Sequence, residues 1–94
     1  MEKKAKEIAE LLKVLANENR LMIFCALMKQ PLTVAGLSEY VPNISQSALS
    51  QHLLLLKANK ILDSQKSGQH VTYFIADHRA EKIIDVLKEY YCEE

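Results

Sequence analysis

The stretch "NISQSALSQHLLLLK", residues 43–57, decides the fold. Its first half is built from small hydroxyl and amide side chains, its second half from leucine, and no glycine or proline separates them. On a wheel of ~100° per residue, Leu49, Leu53 and Leu56 fall within about 60° of one another. Ser47 and Gln51 lie nearly opposite, with Gln46 and Ser50 flanking them. The pattern predicts one helix over Gln46–Ala58, capped at its start by Ser45, with an apolar face turned inward and a polar face turned outward. Asn59 suits a left-handed stop after it.

Working towards the N-terminus, Pro42 and Asn43 make a turn, and Thr33 caps a short helix over "VAGLSEYV". Two short helices joined by a tight turn, the second richer in polar groups on one side, form a helix-turn-helix pattern. Pro31 ends the helix before it, because the residue preceding a proline is pushed out of α geometry. That helix, "RLMIFCALMK", is apolar nearly all round and therefore central; Met22 and Met28 read as core filler. Asn17 is its N-cap. In the first helix Ile8, Leu11, Leu12 and Leu15 follow the i, i+3, i+4, i+7 spacing of an amphipathic stripe.

Towards the C-terminus, "ILDSQKSGQHVTYFIA" predicts a strand over 61–66, a turn at Ser67, Gly68 and Gln69, and a strand over 71–75. Lys66 and His70 lie near the hairpin tip. Asp77 caps a last helix whose stripe is Ile83, Ile84, Leu87 and Tyr91. The order α-α-α-α-β-β-α describes one mainly α (α+β) domain over residues 1–94, a winged helix-turn-helix with a helix at each end.

Composition agrees with this class. The chain has 94 residues, 49% hydrophobic and 26% charged, which fits a globular domain. No apolar run approaches the ~20 residues of a membrane span, and the N-terminus lacks the apolar core of a signal peptide, so a cytoplasmic protein without membrane association is expected. The 12 basic and 12 acidic residues cancel, but not locally. Between positions 45 and 73 stand Lys57, Lys60, Lys66 and a single acid, Asp63, an excess of two positive charges in the segment that starts with the polar helix. The outward glutamines and serines can hydrogen-bond base edges, a helix N-terminus favours phosphate, and a basic hairpin can grip the backbone alongside. A polar outward face can also be merely solvated; the basic hairpin beside it shifts the balance towards double-stranded DNA, bound in a salt-dependent way.

The segments "LANENRLMIFCAL", "ISQSALSQHLLLLKANKIL" and "SGQHVTYFI" resemble the ArsR/SmtB family of bacterial winged-helix repressors, and with the flanking helices the likeness spans nearly the whole chain. The resemblance implies a homodimer joined through the first and last helices, with Tyr90 and Tyr91 in the interface, repressing transcription until an inducer binds. It implies that the partner is double-stranded operator DNA, contacted by Gln46, Ser47, Ser50 and Gln51, with Lys57, Lys66, Gln69 and His70 beside them. Two departures stand out: Asn59 in place of a glycine, and Gln69 where a basic residue is common. His52, on the side of the helix, reads as a packed residue.

The family senses its inducer in several ways. "RLMIFCAL" and the terminal "YYC" look like the paired cysteines of its sulfide- and persulfide-responsive branch, the BigR and SqrR type. By that likeness Cys25 and Cys92 form a sensor dithiol that closes as a disulfide or polysulfide bridge in response to reactive sulfur or an oxidant. HlyU-type relatives share the scaffold and activate by displacing another repressor. A metal site on the last helix would fall on Asp77, Arg79, Tyr90 and Glu93, and arginine does not ligate metals, so no metal or other cofactor is expected. A metal held by Asp77, Glu93 and a thiol is the alternative inducer site. A small thiol enzyme is a third reading, but the chain has no CxxC pair and no positioned base, so no catalytic residue is assigned.

Overall fold

The computed structural model describes residues 1–91, the side chain of Tyr91 excepted. The elements run α1 (Glu2–Leu15), α2 (Glu18–Lys29), β1 (Leu32–Thr33), α3 (Val34–Tyr40), α4 (Gln46–Ala58), β2 (Leu62–Ser67), β3 (His70–Ile75) and α5 (His78–Tyr91). This is the winged helix-turn-helix order that the sequence predicts, with one addition. Leu32 and Thr33 pair antiparallel with Tyr73 and Thr72, so the wing is a three-stranded sheet in the order β1-β3-β2.

Local chemistry sets the helix starts. Asn17 Oδ1 accepts from the backbone N–H groups of Asn19 and Arg20 at 3.0 and 3.1 Å. Thr33 Oγ1 accepts from Gly36 N at 3.2 Å, Ser45 Oγ from Ala48 N at 3.0 Å, and Asp77 Oδ1 from Arg79 N at 3.0 Å. Each satisfies a donor that the first turn leaves without an intrahelical acceptor.

The core gathers around α2 and α4. Ile23, Phe24, Ala26 and Leu27 of α2 meet Leu49, Leu53 and Leu56 of α4, with Leu37, Val41, Ile61 and Leu62 closing the sides. Leu11 and Leu15 of α1 and Ala80 and Ile84 of α5 cover the remaining face. Met28 packs against this cluster, but Met22 is exposed. Among the described residues, α2, apolar nearly all round, still leaves Met22 exposed on one side.

The end of α4 departs from the sequence expectation. Asn59 has an ordinary φ of −91°, and the left-handed residue is Lys60, at φ +62°. Lys60 N donates to Lys57 O at 2.9 Å and Ile61 N to Leu56 O at 3.0 Å. These are the two bonds of a Schellman ending, which puts the left-handed position one residue later. The buried Leu56 and Ile61 stand at the two positions whose apolar contact accompanies that motif. Asn59 instead turns its amide back to Leu55 O at 2.9 Å.

Candidate DNA-binding face and sensor region

α4 is amphipathic as its spacing predicts. Leu49, Leu53 and Leu56 are buried, whereas Gln46, Ser47, Ser50 and Gln51 are all exposed. Ser47, Ser50 and Gln51 share the outward face of the first two turns, and Gln46, exposed in the first turn, lies towards the leucine side, next to a helix N-terminus whose free N–H groups attract anions. Their amides and hydroxyls are the groups that pair with base edges: glutamine matches adenine in a two-bond arrangement, and serine can donate or accept. Leu54 and Leu55 are exposed as well.

His52 sits between the two faces, and its setting was not foreseen. Arg20 at the start of α2 donates from Nε to His52 Nδ1 at 3.3 Å and from Nη1 to Val14 O at 2.7 Å. One guanidinium therefore ties the end of α1 to α2 and α4. Burial, and then the charge of Arg20, push the His52 pKa below the ordinary histidine value. The ring stays neutral, accepting at Nδ1 and carrying its proton on Nε2. The sequence signal for Arg20 was its position, a lone cation at the mouth of an apolar helix.

The hairpin turns at Gly68 and Gln69, and Gly68 has φ +65°. A positive φ at the first of two turn residues, matched to the strand twist, suits glycine there. Register separates the two basic tip residues. Lys66 pairs with Val71 and His70 with Ser67, so the alternation of strand side chains sends Lys66 and His70 to opposite faces. Lys66 shares its face with Ser64, whose hydroxyl accepts from Lys57 Nζ of α4 at 2.7 Å. The structure thus brings Lys57 and Lys66 to one side, against the end of α4, and leaves His70 on the other; Gln69 stands exposed between them.

Cys25 is half-buried in α2 and packs against the core. Cys92, like Glu93, lies outside the described residues. Met28, one turn beyond Cys25, lines a cleft of about 420 Å³ together with His78, Glu81, Lys82, Asp85 and Lys88 of α5. At the start of α5 the proposed metal ligand Asp77 is already engaged. Arg79 donates from Nε to Asp77 Oδ1 at 3.0 Å and from Nη2 to Oδ2 at 2.8 Å. That hydrogen-bonded guanidinium holds the Asp77 carboxyl below the usual carboxylate range, although partial burial opposes it. Among the described residues no group of three His, Cys, Asp or Glu side chains is disposed to hold a metal ion.

A second exposed surface lies on the terminal helices. Leu12 of α1 and Val86, Leu87 and Tyr90 of α5 are exposed, Tyr90 to 78%. Among the described residues no helix is long and apolar enough to cross a membrane.

A two-helix unit with a polar outward helix, followed by a hairpin against that helix, defines a winged helix-turn-helix domain. Residues 17–63 match the model of the bacterial regulatory protein, arsR family. The transcriptional activator HlyU of Vibrio cholerae is 39% identical over 93 residues, 99% of this chain and 85% of that protein. The solved structure of reduced HlyU from Vibrio cholerae superimposes with a TM-score of 0.90 at 39% identity, covering 99% of this chain and 97% of that one. The transcriptional repressor BigR from Xylella fastidiosa gives a TM-score of 0.89 at 31% identity, covering 100% and 95%. The chain belongs to the arsR family of DNA-binding transcriptional regulators. An activator and a repressor stand among the proteins it is similar to.

Proposed function

We propose that the chain works as a homodimer that binds operator DNA through α4 and the wing and represses transcription until thiol chemistry at Cys25 and Cys92 weakens binding. The outward face of α4 carries the DNA reading. Four exposed hydrogen-bonding side chains in its first two turns match major-groove edges, and no acidic residue lies between Glu39 and Asp63 to repel phosphate. Lys57 and Lys66 supply cations beside it, and Gln69 and His70 reach the backbone from the wing tip. Leu12, Val86, Leu87 and Tyr90 offer the apolar surface for a second copy, which sets two α4 helices for half-sites about 34 Å apart.

The sensor reading is supported by Cys25, half-buried on α2 one turn before Met28, which meets α5 side chains across a cleft; Cys92 follows Tyr91 in the sequence. The Cys92 thiolate attacks the outer sulfur of a low-molecular-weight persulfide, R–S–SH, giving Cys92–S–SH and the released thiol R–SH. The Cys25 thiolate then attacks the Cys92 sulfur, forming the Cys25–Cys92 disulfide and expelling hydrogen sulfide. The two cysteines are oxidised and the persulfide is reduced. A bridge from α2 to α5 couples the core to the dimerising helix and changes the spacing of the two recognition helices.

The test is a mobility shift on operator DNA with reduced and persulfide-treated protein, alongside intact-protein mass spectrometry. Tight binding when reduced, and weak binding with a mass loss of two hydrogen atoms across the cysteines, is the expected result. Equal binding by both forms removes the switch.

A further inference from the structure

We propose that Leu54 contacts a thymine methyl group and fixes a thymine preference at one position of each half-site. The proposal rests on the reading of α4 as the helix that enters the major groove.

Leu54 is 68% exposed, between Leu53 and Leu56, which are buried. A single exposed leucine is ordinary on a protein surface. This one, however, continues a row: Ser47, Ser50, Gln51 and Leu54 follow the spacing i, i+3, i+4, i+7 along the outward face. A homeodomain helix presents its base-reading residues at the same spacing. Nothing long on α4 covers the side chain. Ala58, the next residue along the row, carries a single methyl, and Lys57 is drawn aside to the Ser64 hydroxyl at 2.7 Å.

The chemistry of the groove supplies the ligand. Donors and acceptors line the major-groove edges of all four base pairs, and the C5-methyl of thymine is the apolar feature among them. Glutamine and serine use the donors and acceptors. A leucine can use only the methyl, and cytosine at the same place lacks it. Seven residues separate Ser47 from Leu54, about 10 Å along the helix, or roughly three base-pair steps. The methyl-dependent position therefore falls about three base pairs from the one that Ser47 faces.

The experiment starts from a duplex enriched from a random library by the reduced full-length protein. Each thymine of the enriched duplex is replaced by uracil in turn, in both half-sites, which removes the methyl and nothing else. The expected result is one position per half-site where uracil weakens binding by about four-fold, the effect of one buried methyl group. Leu54→Ala should bind the thymine and uracil duplexes alike at that position, whereas Gln51→Ala should keep the difference. Unchanged affinity with uracil everywhere overturns the proposal, as does a Leu54→Ala variant that retains the wild-type discrimination. If no duplex is enriched at all, the DNA reading of α4 fails and this inference falls with it.

Discussion

Among the described residues α4 and α5 each expose a face, and the two faces differ in kind. That of α4 is a set of short polar side chains with Leu54 among them and the exposed Leu55 at its edge. That of α5 is apolar, with Val86 exposed to 61% beside Leu87 and Tyr90. Short amides and hydroxyls lose little by facing water, and they are equipped for a partner made of hydrogen-bonding edges. Large apolar side chains in water mark a surface that another protein covers. The contrast fits the proposal of different partners for the two faces, DNA for one and a second copy for the other. It also explains why a net charge of zero did not exclude nucleic acid: the basic excess is local to α4 and the wing.

Two adjacent leucines test the α4 side most severely. Leu53→Ala should cost about 2–5 kcal/mol of stability, because it opens a cavity in the packed core. Leu54→Ala should stay within about 0.5 kcal/mol, as an exposed site does. Urea denaturation of both variants measures this, and similar costs would break the division of the helix into two faces.

On α5, the double variant Val86→Glu, Tyr90→Glu should weaken self-association by about 30-fold or more, roughly 2 kcal/mol for loss of an aromatic anchor. Stability of the isolated chain should be little altered. Sedimentation equilibrium reads the first quantity, and an unchanged dimer would reassign that face. Gln51→Ala should weaken binding to the preferred duplex by about tenfold, roughly 1.4 kcal/mol, with self-association intact. A loss of both together would mean that the two faces are not separate.

Smaller effects sharpen the junctions between the faces. Lys60→Gly should raise stability by up to about 1 kcal/mol, since the left-handed backbone then carries no side-chain penalty. His52 gives a pH dependence. Its folded pKa lies below the unfolded one, so the unfolded chain binds the proton first, near pH ~6.5. Stability should therefore be complete above that pH and fall as the pH drops through the folded value. His52→Gln should flatten this part of the profile in denaturation curves taken between about pH 5 and 7. Asp77, also lowered, adds its loss only in stronger acid, below the ordinary carboxylate value near ~3.9.

The sequence by itself determined what depends on neighbours within a turn. Asn17, Thr33, Ser45 and Asp77 cap the helices they precede, because a cap is a bond to a residue two or three positions ahead. The α4 stripe and the Gly68 turn were equally readable, being set by helical period and backbone freedom. Tertiary structure decided everything that joins distant positions. A two-residue strand at Leu32 has no periodicity of its own and exists only through its pairing with Tyr73. Arg20 became the tie between α1 and His52 because folding brought an acceptor carbonyl and an imidazole to the two ends of its guanidinium. Lys57 was turned toward Ser64 by the packing of the wing on α4. The left-handed residue moved from Asn59 to Lys60 because the chain had to deliver Ile61 to the core. Local bonds can be read from spacing, whereas these contacts required the folded chain to bring their partners together.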